Sequence, residues 1–81
     1  MKRHVKIYMR YFNFGEQDII YCEKCHTKAV DIHHIHGRGK GKDIIENLMA
    51  LCRDCHNMVH AGKISKVELQ RIHNEFLNGK L

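Results

Sequence analysis

The chain has no tryptophan, no proline and only 7% aromatic residues. Those shortages exclude little by themselves. The hydropathy pattern excludes more: no apolar run near the start has the form of a signal peptide. Nor does any stretch reach the roughly 18 consecutive apolar residues that a membrane-spanning helix needs. Internal repeats are absent beyond two cysteine pairs, and the longest biased segment is a short glycine-basic loop. The expectation is therefore a cytoplasmic, reducing setting with no membrane partner.

What is present is small and basic. The 81 residues suit a single domain, and a domain of this size buries only about 60% of the surface its unfolded chain exposes. Such a core is marginal and calls for a staple. Four cysteines supply one, in the pairs Cys22/Cys25 and Cys52/Cys55. Under reducing conditions, paired Cys-x-x-Cys spacing reads as four thiolates on one structural zinc rather than as two disulfides or a redox pair. Formal charge is +5, from 14 basic and 9 acidic residues, with eight histidines besides. A small basic domain points to a polyanionic partner, most often nucleic acid.

Local patterns predict the elements. Val5, Tyr8, Met9 and Phe12 recur at helical spacing, which predicts a helix ending near Gly15. The alternation of Val5, Ile7, Met9 and Tyr11 leaves a strand open there. Ala29 to Ile35 is β-prone, His36 to Lys42 is a loop by glycine content, and Ile44 to Leu51 suits a turn followed by a short strand. A helix is expected from about Arg53 to His60. Ser65 and Glu68 form a capping box, with Ile64 and Leu69 placed as a hydrophobic staple. Leu69, Ile72 and Phe76 then form a core-facing stripe, and Gly79 is a plausible stop.

Between and after the cysteines lies a second set of reactive residues. His56 and His60 stand at i, i+4, so one helix would carry both imidazoles on the same face. His33 or Asp31, from the preceding β segment, would supply a third ligand to a divalent ion. His34 is left unligated, with an ordinary pKa near neutrality that suits a general base. Its Nε2 would face the water, and its Nδ1 proton would be held by a backbone carbonyl. Asn47 can donate and accept at once, so it can hold backbone in place without titrating. Adjacent strand residues face opposite sides. The strand must therefore end, twist or bulge at His33–His34 if both are to face one phosphate. Arg38, Lys40 and Lys42, on the glycine-rich loop, are candidate phosphate contacts. Lys2, Arg3, Lys6 and Arg10 form a weaker basic patch. His4, His26, His36 and His73 have no matching role.

In order, the motifs are Cys-x2-Cys, Val-Asp-Ile-His-His-Ile, Asn-Leu-x-x-Leu-Cys and Cys-His-x3-His. Together they resemble the HNH endonucleases. The resemblance implies a small α+β fold: a zinc-braced ββα-metal core over residues 22–60 with flanking N- and C-terminal helices. The N-terminal extension would be residues 1–21 and the last helix about residues 65–78. It implies His33, His56 and His60 as ligands of a catalytic divalent ion (Mg²⁺, Mn²⁺, Ni²⁺ or Zn²⁺). It also implies His34 as the base, Asn47 as the residue orienting the site loop, and Cys22, Cys25, Cys52 and Cys55 as ligands of one structural Zn²⁺. The implied activity is hydrolysis of DNA phosphodiester bonds. Similar small proteins occur in phages, some beside packaging machinery, so a specificity-providing protein partner is also implied. The competing expectation is a non-catalytic zinc module that binds DNA or a protein. A redox or metal-handling protein leaves the histidine-asparagine set unexplained.

Overall fold

A computed structural model describes residues 1–79. Its elements are helix α1 (Arg3–Tyr11), strand β1 (Asp31–His34), a 3-10 turn (Ile45–Asn47), strand β2 (Leu48–Leu51), helix α2 (Arg53–His60) and helix α3 (Lys66–Leu77). The fold is small α+β, and β1 and β2 form its two-stranded antiparallel sheet.

Helix α1 forms, but it stops before Gly15. Asn13 takes the left-handed conformation at φ 58°. The Phe14 N–H returns to the Met9 carbonyl at 2.8 Å and the Asn13 N–H to the Arg10 carbonyl at 3.2 Å. These two bonds make a Schellman ending in which asparagine takes the usual glycine position. Tyr8 and Met9 are buried, as the helical spacing requires, and His4 is buried beside them.

The sheet separates two apolar clusters. Its register pairs Asp31 with Leu51, Ile32 with Ala50, His33 with Met49 and His34 with Leu48. Directly opposed residues share a face. Leu48 and Ala50 join Tyr8 and Ile32 under α1. Met49 and Leu51 join Cys22, Cys52, Cys55, Leu69 and Ile72 on the other side. Strand β2 is thus buried on both faces, which explains its unbroken apolar run Leu48-Met-Ala-Leu51. Strand β1 is buried only at Ile32 and His34.

Helix α3 begins at its Ser65 cap, whose hydroxyl accepts from the Glu68 N–H at 3.1 Å. The reciprocal bond expected of a capping box is not made among the described residues: Glu68 points into solvent. The staple pair Ile64 and Leu69 is buried in the cysteine-side core. Gly79 follows the last turn at φ 72°, the left-handed stop its position suggests.

One buried polar assembly ties these parts together. Glu23, between the first two cysteines, is fully buried. Its Oε2 accepts from the Tyr8 hydroxyl at 2.7 Å and from the Ala50 N–H at 3.2 Å. Its Oε1 accepts from His73 Nδ1 at 2.6 Å, while His73 Nε2 donates to the Ile45 carbonyl at 2.6 Å. Both nitrogens of His73 face oxygens that can accept, an arrangement that favours the imidazolium. Burial alone would lower its pKa, but the Glu23 hydrogen bond and charge, with the Ile45 carbonyl, raise it overall. The Tyr8 hydroxyl is pushed up by burial and by the Glu23 carboxylate. Glu23 was not foreseen from the sequence, and His73 was expected to have no role.

Candidate metal centres and catalytic cleft

The four cysteines converge from the two ends of the core. Cys22 and Cys25 sit on a knuckle closed by the Cys22 N–H to the Thr27 carbonyl at 2.6 Å and by the Tyr21–Lys28 bridge. Cys52 caps α2, and Cys55 follows in its first turn. The Cys25 N–H points at the Cys22 sulfur (3.5 Å) and the Cys55 N–H at the Cys52 sulfur (3.4 Å). The four sulfurs lie within 4.8 Å of one another. A tetrahedron of sulfurs about 2.3 Å from zinc has edges of roughly 3.8 Å, so the cluster fits the ion. Hydrogen bonding acts on the thiols unequally. The Cys52 thiol falls to about 6 although burial opposes it, because the Cys55 N–H and the Thr27 hydroxyl favour its thiolate. Burial pushes Cys55 up.

The second cluster forms where β1 faces α2. Asp31 and His33, two apart on the strand, project from one face. His56 and His60 project from α2 towards them. The Nε2 atoms of His56 and His60 are 3.0 Å apart, and His56 Nε2 is 3.5 Å from Asp31 Oδ2. The His33 ring centroid lies 5.3 Å from that of His56 and 6.3 Å from that of His60. Ligating nitrogens about 2.0–2.1 Å from a common ion stand roughly 2.9–3.4 Å apart, which the His56–His60 pair satisfies. Asp31, His33 and His56 offer donor atoms all within 4.8 Å of one another. Asp31 is therefore at least as well placed as His60, and His56 belongs to both sets. Burial, then the neighbouring His56, lowers the His33 pKa and favours the neutral imidazole that a metal ligand requires.

Of the three expected ways for the strand to bring both rings to one opening, it takes the first and ends at His34. The ladder stays regular up to that point, where the Gly37 N–H bonds back to the His34 carbonyl at 3.3 Å. The two imidazoles leave opposite faces, yet both line one open cleft of about 310 Å³ with Asp31, His56, His60 and Arg38. His34 differs from expectation in one respect: its Nε2 does not point to open water. It meets Asp43 Oδ1 at 2.8 Å, and the ring packs against His4 with centroids 4.6 Å apart. That hydrogen bond holds the Asp43 carboxyl below its ordinary value. Burial, then His34, lowers His4.

Asn47, buried, clasps the loop after His34. Its Oδ1 accepts from the His36 N–H at 2.7 Å, and its Nδ2 donates to the Lys42 carbonyl at 2.9 Å and the Gly37 carbonyl at 3.2 Å. Gly37, Gly39 and Gly41 all have positive φ, which lets the loop fold onto that one side chain. The loop's cations part company: Arg38 lines the cleft, whereas Lys40 and Lys42 line a neighbouring hollow with His36 and Gln70. No helix among the described residues is long and apolar enough to cross a membrane.

Residues 22–62 match the family model of the HNH endonucleases, a segment covering half of the chain. No curated protein and no solved structure gave a match. The matched segment starts at Cys22, the first of the four clustered cysteines, and runs just past the second cleft-facing histidine of α2, so it takes in both clusters. The chain belongs to the HNH endonuclease family.

Proposed function

We propose that the chain is a metal-dependent endonuclease that hydrolyses DNA phosphodiester bonds, with one ion on His33, His56 and His60 and with His34 as general base. The observation that carries this reading is the open cleft, which those three imidazoles line together with His34. A divalent ion there would polarise the phosphate and offset the charge developing on the departing 3′ oxygen. His34 accepts a proton from a water molecule as that oxygen attacks phosphorus. The phosphorus–O3′ bond breaks, and the departing oxygen takes a proton from solvent. Asn47 keeps the loop folded beside the base. Arg38 faces the cleft and would neutralise a flanking phosphate, and the chain's +5 charge favours the approach of DNA.

The four thiolates would hold zinc as a brace away from this chemistry, because all four coordination positions are filled by protein. The test is incubation of supercoiled plasmid with Mg²⁺, Mn²⁺, Ni²⁺ or Zn²⁺, comparing wild type with His34→Ala. The variant is expected to bind metal and DNA while its rate falls by about 10²–10⁴. Cleavage by His34→Ala at the wild-type rate would remove the base assignment. No cleavage by wild type with any of these ions would favour a non-catalytic zinc module.

A further inference from the structure

The loop that follows the base carries a carboxylate with a specific geometry. We propose that Asp43 is a positioning residue for His34: it holds the imidazole by Nε2–H and leaves Nδ1 as the nitrogen that takes the proton from water. This inference rests on the nuclease reading above and changes which atom does its work.

The support is geometric. The Nε2–Oδ1 distance is 2.8 Å, short enough for a charge-assisted hydrogen bond. Asp43 sits outside the apolar core and is held ionised by that contact, so it accepts and the ring donates. A neutral imidazole that donates from Nε2 has its lone pair on Nδ1. On the ring's flank, His4 packs with centroids 4.6 Å away and restricts rotation. Among the described residues, every buried side-chain nitrogen and oxygen has a hydrogen-bond partner. His34 Nδ1 takes none among the described residues, so it is not fully enclosed by them. His34 also lines the cleft shared with His33, His56 and Arg38. A base fixed from behind by a carboxylate, with its other nitrogen open to water, has the orientation logic of a serine-protease histidine. Helix α1, which supplies His4, thereby becomes part of the site although it lies outside the matched residues.

The test reads the tautomer directly. Long-range ¹H–¹⁵N correlation spectra of the zinc-loaded, histidine-labelled chain, without added divalent ion, are expected to show His34 as a single Nε2–H tautomer. In Asp43→Ala that signature should give way to a mixture. Under saturating metal, Asp43→Ala should lower kcat at least ~10-fold with KM for DNA little changed, bounded by the ~10²–10⁴ that loss of the base itself costs. Asp43→Asn should recover part of the rate, because its amide oxygen still accepts from Nε2–H. An Nδ1–H tautomer in wild type, an unchanged spectrum in Asp43→Ala, or a wild-type kcat in that variant would each overturn the assignment. The spectra do not depend on cleavage. A chain that fails to cut any DNA defeats the nuclease reading, while the tautomer still decides the role of Asp43.

Discussion

The two donor clusters of this domain are built from neighbouring pieces of chain and differ in nearly every physical respect. The cysteine cluster is mostly enclosed: Cys22, Cys52 and Cys55 are buried, Cys25 alone of the four is exposed, and the surrounding core includes Met49, Leu51 and Leu69. The histidine cluster is open: Asp31, His33 and His56 are half-buried and His60 is exposed. One helix serves both, with its first turn given to cysteines and its second and third to imidazoles. A site meant only to brace needs every position filled and no access, whereas a site meant to act on a polymer needs a vacant side. Burial is what distinguishes the two clusters.

The sharpest way to break that contrast is at the closed end. Cys52→Ser should unfold the domain, since structural zinc contributes on the order of 10 kcal/mol to folds of this kind. Circular dichroism with and without zinc reads this, and a variant that keeps its native spectrum without the ion would make the brace dispensable.

Next in size is the buried pair behind the first knuckle. Glu23→Ala strands the His73 imidazolium among apolar groups, an error that costs about 3–5 kcal/mol. A lowered urea midpoint in the zinc-loaded protein is expected, and an unmoved midpoint would show the pair to be idle. The pair also has a pH signature. His73 is held above its ordinary 6.5, so the folded state binds its proton more tightly than the unfolded state does. Its contribution is full below pH 6.5 and fades as pH rises through the folded value. Glu23→Gln should flatten that dependence in equilibrium unfolding.

At the open end the effects are smaller. His56 stands between His60 and Asp31, so His56→Ala should weaken divalent-ion affinity more than His60→Ala does. The expected loss for His56→Ala is at least the ~10–100-fold typical of removing a mere outer partner. Calorimetric titration of the zinc-loaded protein decides the order, and a larger loss from His60→Ala would reverse the ranking of ligands. Smallest is the loop. Arg38→Ala should lower the slope of log K against log salt for DNA by about one, with Lys40→Ala affecting it less. Equal slopes for the two variants would mean that the hollow beside Lys40 lies on the DNA path as well.

What was legible in the sequence was local. The Cys-x-x-Cys pairs, the i, i+4 spacing of His56 and His60, the Ser65 cap and the Ile64–Leu69 staple each lie within one turn or one knuckle. Their geometry follows from backbone periodicity alone. The contacts that escaped notice span the chain: Glu23 to His73 across 50 residues, Tyr8 to Glu23 across 15, His34 to Asp43 across 9. A glutamate in a polar knuckle and a histidine on an amphipathic helix look solvated until the tertiary fold brings each to the other. The end of α1 was misjudged for a related reason. Gly15 was the conspicuous stop, but Asn13 also tolerates the left-handed conformation. The end, twist or bulge expected at His33–His34 takes the form of an end: the strand runs out at His34, and both rings line the same opening.

The position of Glu23 has a practical corollary for anyone wishing to borrow this HNH domain. A fragment trimmed to residues 22–62 would keep every cysteine and every cleft histidine, yet discard both the phenol and the imidazole that hydrogen-bond the carboxylate at its centre. Such an excised piece should be a poor graft, and the helices on either side should travel with it.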